Sequence, residues 1–409
     1  MAGYIFMKKS IALALSVATI LSVSTGCKKK LKKFELELGD TVTMGEYQGE
    51  EIKWEVMHRN FVVGENKVIV ELQSTTAIDC LPFDEEGAYW EDCTLREWLN
   101  TDFYDEAFSK SEKKEILDTS YSMYTGPSRW LTDKVYISGE FLRYRLSPQD
   151  ATCKPSKYAK KKGIHIEDGS CKYWTRDVGI IEYSQGLTDT AGNGFVFCLG
   201  TSGMDSGHGP NGFFTAEDVG VRPWISVEYE GTFEMKDINP ADRVIMGTYD
   251  GEPITWIVIE SEKSGLKLLS KYGLEKMKMD KNSEATEFAE TDLHEWLNED
   301  FYEEAFSTSE KKLIVANEED DNVSLIGKIS MKDGFDRECM NELFIGTGYS
   351  KAYCESNKVT ENEAVDDFWM NYVSEKNQKL SVYIIGRLNF GGIDANQAFS
   401  VRPYITIKF

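Results

Sequence analysis

The chain predicts an α+β fold in two tandem homologous domains, and three repeated features carry that expectation. The block Leu95–Lys114 returns as Leu293–Lys312 with 16 of 20 positions identical. Ahead of each copy stands Gly-x-Tyr-x-Gly, as Gly45-Glu46-Tyr47-Gln48-Gly49 and Gly247-Thr248-Tyr249-Asp250-Gly251. Behind each stands Val-Arg-Pro, at Val221-Arg222-Pro223 and Val401-Arg402-Pro403. Repeats of solenoids and propellers recur every ~20–50 residues, far less than the spacing here, so each copy is a complete domain with its own core.

Each copy opens on a hairpin, and Asp250-Gly251 is a pair suited to a tight two-residue turn. In the strand that follows, Ile52, Trp54 and Val56 alternate with Lys53, Glu55 and Met57, and Ile254, Trp256 and Val258 repeat the pattern. Both tryptophans therefore point to a buried face. Apolar strands follow at Val68–Leu72 and Leu266–Leu269.

The duplicated block reads as two short helices. Thr94 with Glu97, and Asp292 with Glu295, have capping-box spacing at the first helix, as do Ser109 with Glu112 and Ser307 with Glu310 at the second. Leu95, Trp98 and Leu99 share one helical face, as do Leu293, Trp296 and Leu297. Phe103, Tyr104, Ala107 and Phe108 add aromatic packing, so the block reads as a shared core. Further on, Asp133-Lys134-Val135 matches Asp321-Asn322-Val323, and Tyr158-Ala159-Lys160 matches Tyr349-Ser350-Lys351. A loop-rich half follows, with a Gly-rich irregular stretch from Gly179 to Gly220 that is shorter in copy two. A short strand closes each copy, in which Pro223 and Pro403 require an edge or a bulge.

The N-terminus reads as an export signal. Met7-Lys8-Lys9, the apolar run Ile11–Val23 and the small residues before Cys27 follow the order of a cleaved leader. The run is shorter than the roughly 20 residues a helix needs to span a bilayer. The Thr25-Gly26-Cys27 ending resembles the lipobox of bacterial lipoproteins, which implies lipid attachment at Cys27. Lys28-Lys29-Lys30-Leu31-Lys32-Lys33 then forms a basic tether suited to an anionic membrane surface. The expected organisation is a signal peptide over 1–26, lipid anchor and tether over 27–35, first repeat domain over 36–230, linker over 231–241 and second repeat domain over 242–409. The expected location is the bacterial cell membrane, lipid-anchored and facing outward.

A composition of 41% hydrophobic and 12% aromatic residues is that of a globular chain. The net charge of −23 makes nucleic acid a poor partner, because binding phosphates needs clustered Lys and Arg. His58, His165, His208 and His294 lack metal-site spacing, so no metal and no cofactor is expected. Export makes the disulfide pairs Cys80 with Cys93, Cys153 with Cys171 and Cys339 with Cys354 candidates, leaving Cys198 free. Tyr173, Trp174, Arg176 and Asp177, beside the Gly-rich stretch, are candidates for a ligand face of aromatic planes and an Arg fork. The competing reading makes Trp174 and Arg222 packing and ion-pair residues.

Together, the Gly-x-Tyr-x-Gly-x-x-Ile-x-Trp opening, the Leu-x-x-Trp-Leu-Asn-x-x-Phe-Tyr-x-x-Ala-Phe centre and the Val-Arg-Pro ending resemble a bacterial family of domains of unknown function, the family numbered 6273. The resemblance covers nearly all the mature chain, twice. It implies a secreted or lipid-anchored protein of Gram-positive gut bacteria and brings no activity with it. Tyr173-Trp174-Thr175-Arg176-Asp177 stands where the family has Trp-Trp-Leu-Arg-Ser, and copy two has Phe368-Trp369-Met370-Asn371 without the Arg. The order of elements is also similar to the C-type lectin-like fold, although the calcium-ligand signatures of that fold are absent from the sequence. The leading expectation is a cell-surface, non-catalytic binding or scaffold module for glycan or protein ligands. The alternative is an extracellular enzyme acting on polysaccharide through acidic residues of the first domain.

Overall fold

The computed structural model describes residues 31–85, 89–123, 129–139, 153–178, 180–183, 186–189, 195–199, 212–214, 218–282, 284–285, 287–326, 350–358, 368–373, 381–385, 393–394 and 396–408. Cys27, Lys28–Lys30, His208 and Cys339 lie outside these residues. The chain forms two compact units, one taking Lys67–Thr232 and the chain up to Arg59, the other Asn60–Asn66 and Phe233–Phe409. Residues 60–66 thus group with the second unit, where Asn60, Phe61 and Val62 pair in parallel with Arg243, Val244 and Ile245.

In the first unit, β1 (Thr41–Tyr47) and β2 (Glu50–Val62) form the hairpin. Gln48 and Gly49 both have positive φ, 52° and 78°, which gives the turn the twist that a tight hairpin needs. β3 (Lys67–Ser74), β4 (Asp79–Leu81), β5 (Val135–Ile137), β6 (Tyr173–Val178), β7 (Val219–Val221) and β8 (Pro223–Glu230) complete its principal strands. One sheet runs β1-β2-β3-β8-β5, and the other runs β4-β7-β6 and on to Phe195–Leu199 and Gly212–Phe214. β8 is an inner strand. Pro223 is tolerated there because it is the strand's first residue, not because the strand is an edge.

The second unit repeats this plan with β9 (Arg243–Tyr249), β10 (Glu252–Glu262), β11 (Gly265–Ser270), β12 (Glu275–Lys278), β13 (Phe368–Val373), β14 (Ala398–Val401) and β15 (Tyr404–Ile407). One sheet runs β9-β10-β11-β15, and the other β12-β14-β13 followed by Ser381–Ile385 and Ile393–Asp394. The parallel contact Tyr173↔Gly220 recurs as Phe368↔Ser400. Each unit is therefore an α+β domain whose shared strands follow the same order in both sheets, with β5 reduced in the second unit to the single bridge Ser324↔Tyr404. The Gly179–Gly220 stretch is more regular than its composition implies, since Ile180–Tyr183 pairs with Gly186–Asp189 and Phe195–Leu199 joins β6.

The duplicated block packs over the first sheet in each unit. Its helical run is continuous: α1 (Thr94–Trp98) passes through a π turn, Leu99–Phe103, into α2 (Tyr104–Ala107), and the second unit repeats this as α4 (Asp292–Trp296), Leu297–Phe301 and α5 (Tyr302–Ala305), α3 (Lys157–Lys162) lying between them in the chain. Trp54 and Trp256 are fully buried, and their indole N–H groups donate to Met44 O at 2.7 Å and Met246 O at 2.8 Å. Each stacks on a phenylalanine of the block, Phe108 at 6.1 Å and Phe306 at 6.0 Å. Gly45 and Gly247 are required at this contact. A Cβ on either would stand 2.8 Å from Ala107 O or 2.9 Å from Ala305 O, and both have positive φ.

The caps of the block sit one residue earlier than the capping-box spacing predicts. Cys93 Sγ accepts from Arg96 N–H at 3.4 Å and Thr291 Oγ1 from His294 N–H at 3.1 Å, because the backbone is still extended at Cys93 and Thr291. The second helix of each block is a single turn, and there the predicted caps form. Ser109 N–H donates to Glu112 Oε2 at 2.8 Å and Ser307 N–H to Glu310 Oε2 at 2.9 Å. The match of Tyr158 with Tyr349 is replaced by that of Ser156 with Ser350, the N-caps of α3 and of α6 (Lys351–Asn357).

Candidate functional site

The proposed ligand face at Tyr173, Trp174 and Arg176 belongs to the core. β6 is an inner strand of the second sheet, and Tyr173 and Trp174 are fully buried. The Trp174 indole N–H donates to Leu81 O at 2.8 Å, and its ring meets Phe83 edge-on at 5.6 Å. In the second unit Trp369 does the same, donating to Met277 O at 2.7 Å. Tyr173 OH accepts from Arg222 Nη1 at 3.3 Å, and burial pushes its phenol up to about 12. Arg176 is half-buried. It donates from Nη1 to Ile137 O at 2.6 Å, and its guanidinium lies 4.7 Å over the Tyr121 ring. Neither aromatic plane has an exposed side on which a ligand could stack. The Asp177 side chain lies outside the described residues.

Arg222 and Arg402 explain the Val-Arg-Pro motif. Each is buried and donates from Nε to a carbonyl at the end of a strand, Ser74 O at 2.8 Å and Ser270 O at 2.9 Å. The motif therefore clamps each closing strand to the end of β3 or β11.

Of the sequence pairs, Cys153 with Cys171 is brought together, Cys80 is separated from Cys93, and Cys339 lies outside the described residues. Cys153 and Cys171 lie side by side: Cys171 N–H donates to Cys153 O at 2.7 Å, and its Sγ is 3.5 Å from the same oxygen. Cys80 joins them in one buried cluster with Ala77, Ala159, Ile164 and Tyr173. The hydrogen bond with Cys153, together with burial, holds the Cys171 thiol well above its ordinary range. Cys93 caps α1 instead, outside that cluster, and burial pushes its thiol up to about 12. Cys354 is buried on α6. Among the described residues, no three His, Cys, Asp or Glu side chains converge as metal ligands would.

On the duplicated block, several residues identical in both copies are at the surface. Trp98 and Trp296 are half-buried, and each meets a tyrosine of the opening hairpin edge-on, Tyr47 at 6.0 Å and Tyr249 at 6.1 Å. Beside them Glu97 and Asp102, and in the second unit Glu295 and Asp300, are exposed. In the second unit this surface is a depression lined by Trp296, Asn298, Glu299, Asp300, Glu303 and Glu304. Most other identical polar residues of the block have a structural partner. Asn100 accepts from Lys134 N–H and Val135 N–H, both at 3.1 Å, and Asn298 repeats this with Asn322 and Val323. Glu112 accepts from Gly45 N–H at 2.7 Å, and Glu310 from Gly247 N–H at 2.7 Å. For Glu97, Asp102, Glu295 and Asp300 no side-chain partner is found among the described residues. Reading the block as a core alone overlooked this set. The signal for its carboxylates is identity between the copies at helix positions off the apolar stripe, whereas Trp98 and Trp296 lie on that stripe and are only half-buried.

No curated protein and no solved structure matches the chain. The family model described as Domain of unknown function (DUF6273) matches residues 82–229 and 263–344. These segments take in the duplicated block of both units and more than half of the chain, so the protein belongs to the DUF6273 family and carries the domain twice.

Proposed function

We propose that the protein is a lipid-anchored cell-surface module that binds glycan or protein ligands without catalysis, built on two C-type lectin-like domains. The reading is carried by the Trp–Glu–Asp set on the outer side of the block, present in both units, in which each half-buried indole packs on the opening hairpin and the carboxylates have no side-chain partner among the described residues. An indole edge flanked by carboxylates suits a sugar ring, whose C–H face packs on the aromatic plane while its hydroxyls donate to the acids, and equally a basic protein surface. Two tethered copies raise the effective concentration of the second contact without new chemistry. The leader, Cys27 and Lys28–Lys33 support an address at the outer face of a membrane. The strand-helix-strand order, with its closing Arg-Pro strand, supports the lectin-like architecture.

The test is a glycan array and a capture of surface proteins with the chain from Cys27 onward, beside its Trp98→Ala, Trp296→Ala and doubly substituted forms. Each single substitution should weaken binding, and the double should abolish it while the chain stays folded. Undiminished binding by the double variant would reject this surface. Turnover of a polysaccharide that one carboxylate substitution abolishes would reject the non-catalytic reading.

A further inference from the structure

The helix α3 places a dense basic surface on a chain whose net charge is −23. Between Lys154 and Lys162 there are five lysines, Lys154, Lys157, Lys160, Lys161 and Lys162, and no acidic residue. All five are exposed. Lys162 reaches Asp79 Oδ1 at 3.2 Å, whereas the ammonium groups of Lys154, Lys157, Lys160 and Lys161 have no acidic partner among the described residues; Glu50, at the start of the helix, accepts from the backbone N–H groups of Lys157 at 3.3 Å and Tyr158 at 2.7 Å. Ala159 fixes the orientation of the helix, because it is fully buried against Ile164 and Cys171. Lys157, Lys160 and Lys161 follow the i, i+3, i+4 spacing of one helical face and so project together into solvent.

Lysines in a last turn also favour the helix dipole, which would make them a purely local device. The second unit argues against that. Its equivalent helix α6 starts from the same kind of serine cap, Ser350 Oγ accepting from Tyr353 N–H at 3.2 Å, yet carries Lys351, Cys354, Glu355 and Ser356 where α3 has Lys157, Lys160, Lys161 and Lys162. The fold is therefore built without this charge, and the basic face is an addition specific to the first unit.

We infer that the exposed face of α3, with Lys154, Lys157, Lys160 and Lys161, is a docking surface for an anionic lipid bilayer. This rests on the reading of a membrane-tethered chain, since Lys28–Lys33 and a lipid on Cys27 would hold the first unit beside such a surface. A lysine near anionic headgroups favours the bound state by roughly fivefold, and several on one face multiply. Opposite charge is the only complementarity the face offers, because it presents no exposed aromatic or large apolar side chain over Lys154–Lys162.

The test uses the chain from Cys27 onward, made without its leader and hence without lipid, in sedimentation with phosphatidylcholine vesicles and with vesicles that also contain phosphatidylglycerol. The protein should sediment with the anionic vesicles only, and less so as salt rises. The Lys157→Gln, Lys160→Gln, Lys161→Gln triple variant should lose on the order of 100-fold in partition. Its melting temperature should be unchanged, and Lys351→Gln should sediment like the wild type. A triple variant that sediments as well as the wild type would overturn the proposal and leave the tether as the whole source of affinity. Equal, lysine-dependent binding to soluble polyphosphate would also overturn it, in favour of an anionic polymer. The anchor is tested separately, by whether Cys27→Ala releases the protein from the membrane fraction of cells, so the two readings can fail independently.

Discussion

His294 Nε2 lies 2.7 Å from Asp321 Oδ1, in the place where the first unit has the guanidinium of Arg96 against Asp133. Arg96 donates to both oxygens of Asp133, from Nε at 2.9 Å and from Nη2 at 2.9 Å, and from Nη1 to Glu91 O at 2.6 Å. One contact point, joining the helix to the segment that precedes β5 or its counterpart, is thus closed by a three-donor fork in one unit and by a single imidazole in the other. A fork matches a carboxylate in a way that an imidazole does not. His294→Arg should therefore stabilise the second unit by about 1 kcal/mol, and Arg96→His should destabilise the first by about 1–2 kcal/mol. Calorimetric unfolding of the two variants checks the opposite signs.

Asn100 and Asn298 make a second prediction. Each side chain accepts two backbone N–H groups and donates to a carbonyl, Val135 O at 2.8 Å or Val323 O at 2.9 Å. Alanine would leave these backbone groups without partners, at about 2–3 kcal/mol for either unit. Asn→Asp keeps the acceptors but brings an acceptor to Val135 O or Val323 O, so it should rescue only in part. Denaturant titration of the four single variants measures this.

These two contacts mark the limit of what sequence patterning reveals. Trp54, Trp256 and the Leu95–Leu99 stripe are legible because period-two and helical spacing report burial directly, and all but Trp98 and Trp296 are indeed enclosed. Asn100 is conspicuous as an identity between copies, yet its role is set by a segment 35 residues away, and no local rule contains that. The caps slipped by one because a cysteine sulfur serves as acceptor at Cys93, where spacing alone favours Thr94. Tyr173, Trp174 and Arg176 read as a ligand face because aromatic planes and an Arg fork stand together beside a Gly-rich stretch. Strand order puts β6 between two neighbours and leaves Trp174 an internal donor to Leu81.

Glu112 and Glu310 give the chain an acid limb. Burial would raise both carboxyls, but hydrogen bonds from Ser109 and Gly45, and from Ser307 and Gly247, outweigh it and hold both below the ordinary glutamate range. Such a group stabilises the fold fully above its unfolded value of about 4.3, and the contribution is lost as pH falls through the lower folded value. Stability should therefore decline in that acidic window. The Glu112→Gln, Glu310→Gln double variant should be less stable at neutral pH, by about 1 kcal/mol per unit from the weakened caps, and should show a flatter decline. Thermal melts across pH for both proteins test this. Parallel curves would reject the assignment to these two residues.

The side-by-side position of Cys153 and Cys171 makes the last prediction. Both are buried, they share a backbone hydrogen bond of 2.7 Å, and they are 18 positions apart in the chain. In an exported chain the two thiols should meet a disulfide-bearing oxidant during folding, exchange with it, and become a disulfide while the oxidant leaves as two thiols. Cys80, although in the same cluster, and Cys93, which caps α1, should stay reduced. Closing a loop of this size stabilises by roughly 3 kcal/mol in the chain-entropy account. Reductant should then lower the melting temperature of the first unit and leave the second unchanged. A Cys153→Ser, Cys171→Ser variant should melt lower from the outset and ignore reductant, and Cys93→Ser should respond like the wild type. Peptide mapping of the unreduced, alkylated protein reads the pairing directly. Alkylation of both Cys153 and Cys171 there would show that burial keeps them from the oxidant, and that the segment carrying α3 is held by packing alone.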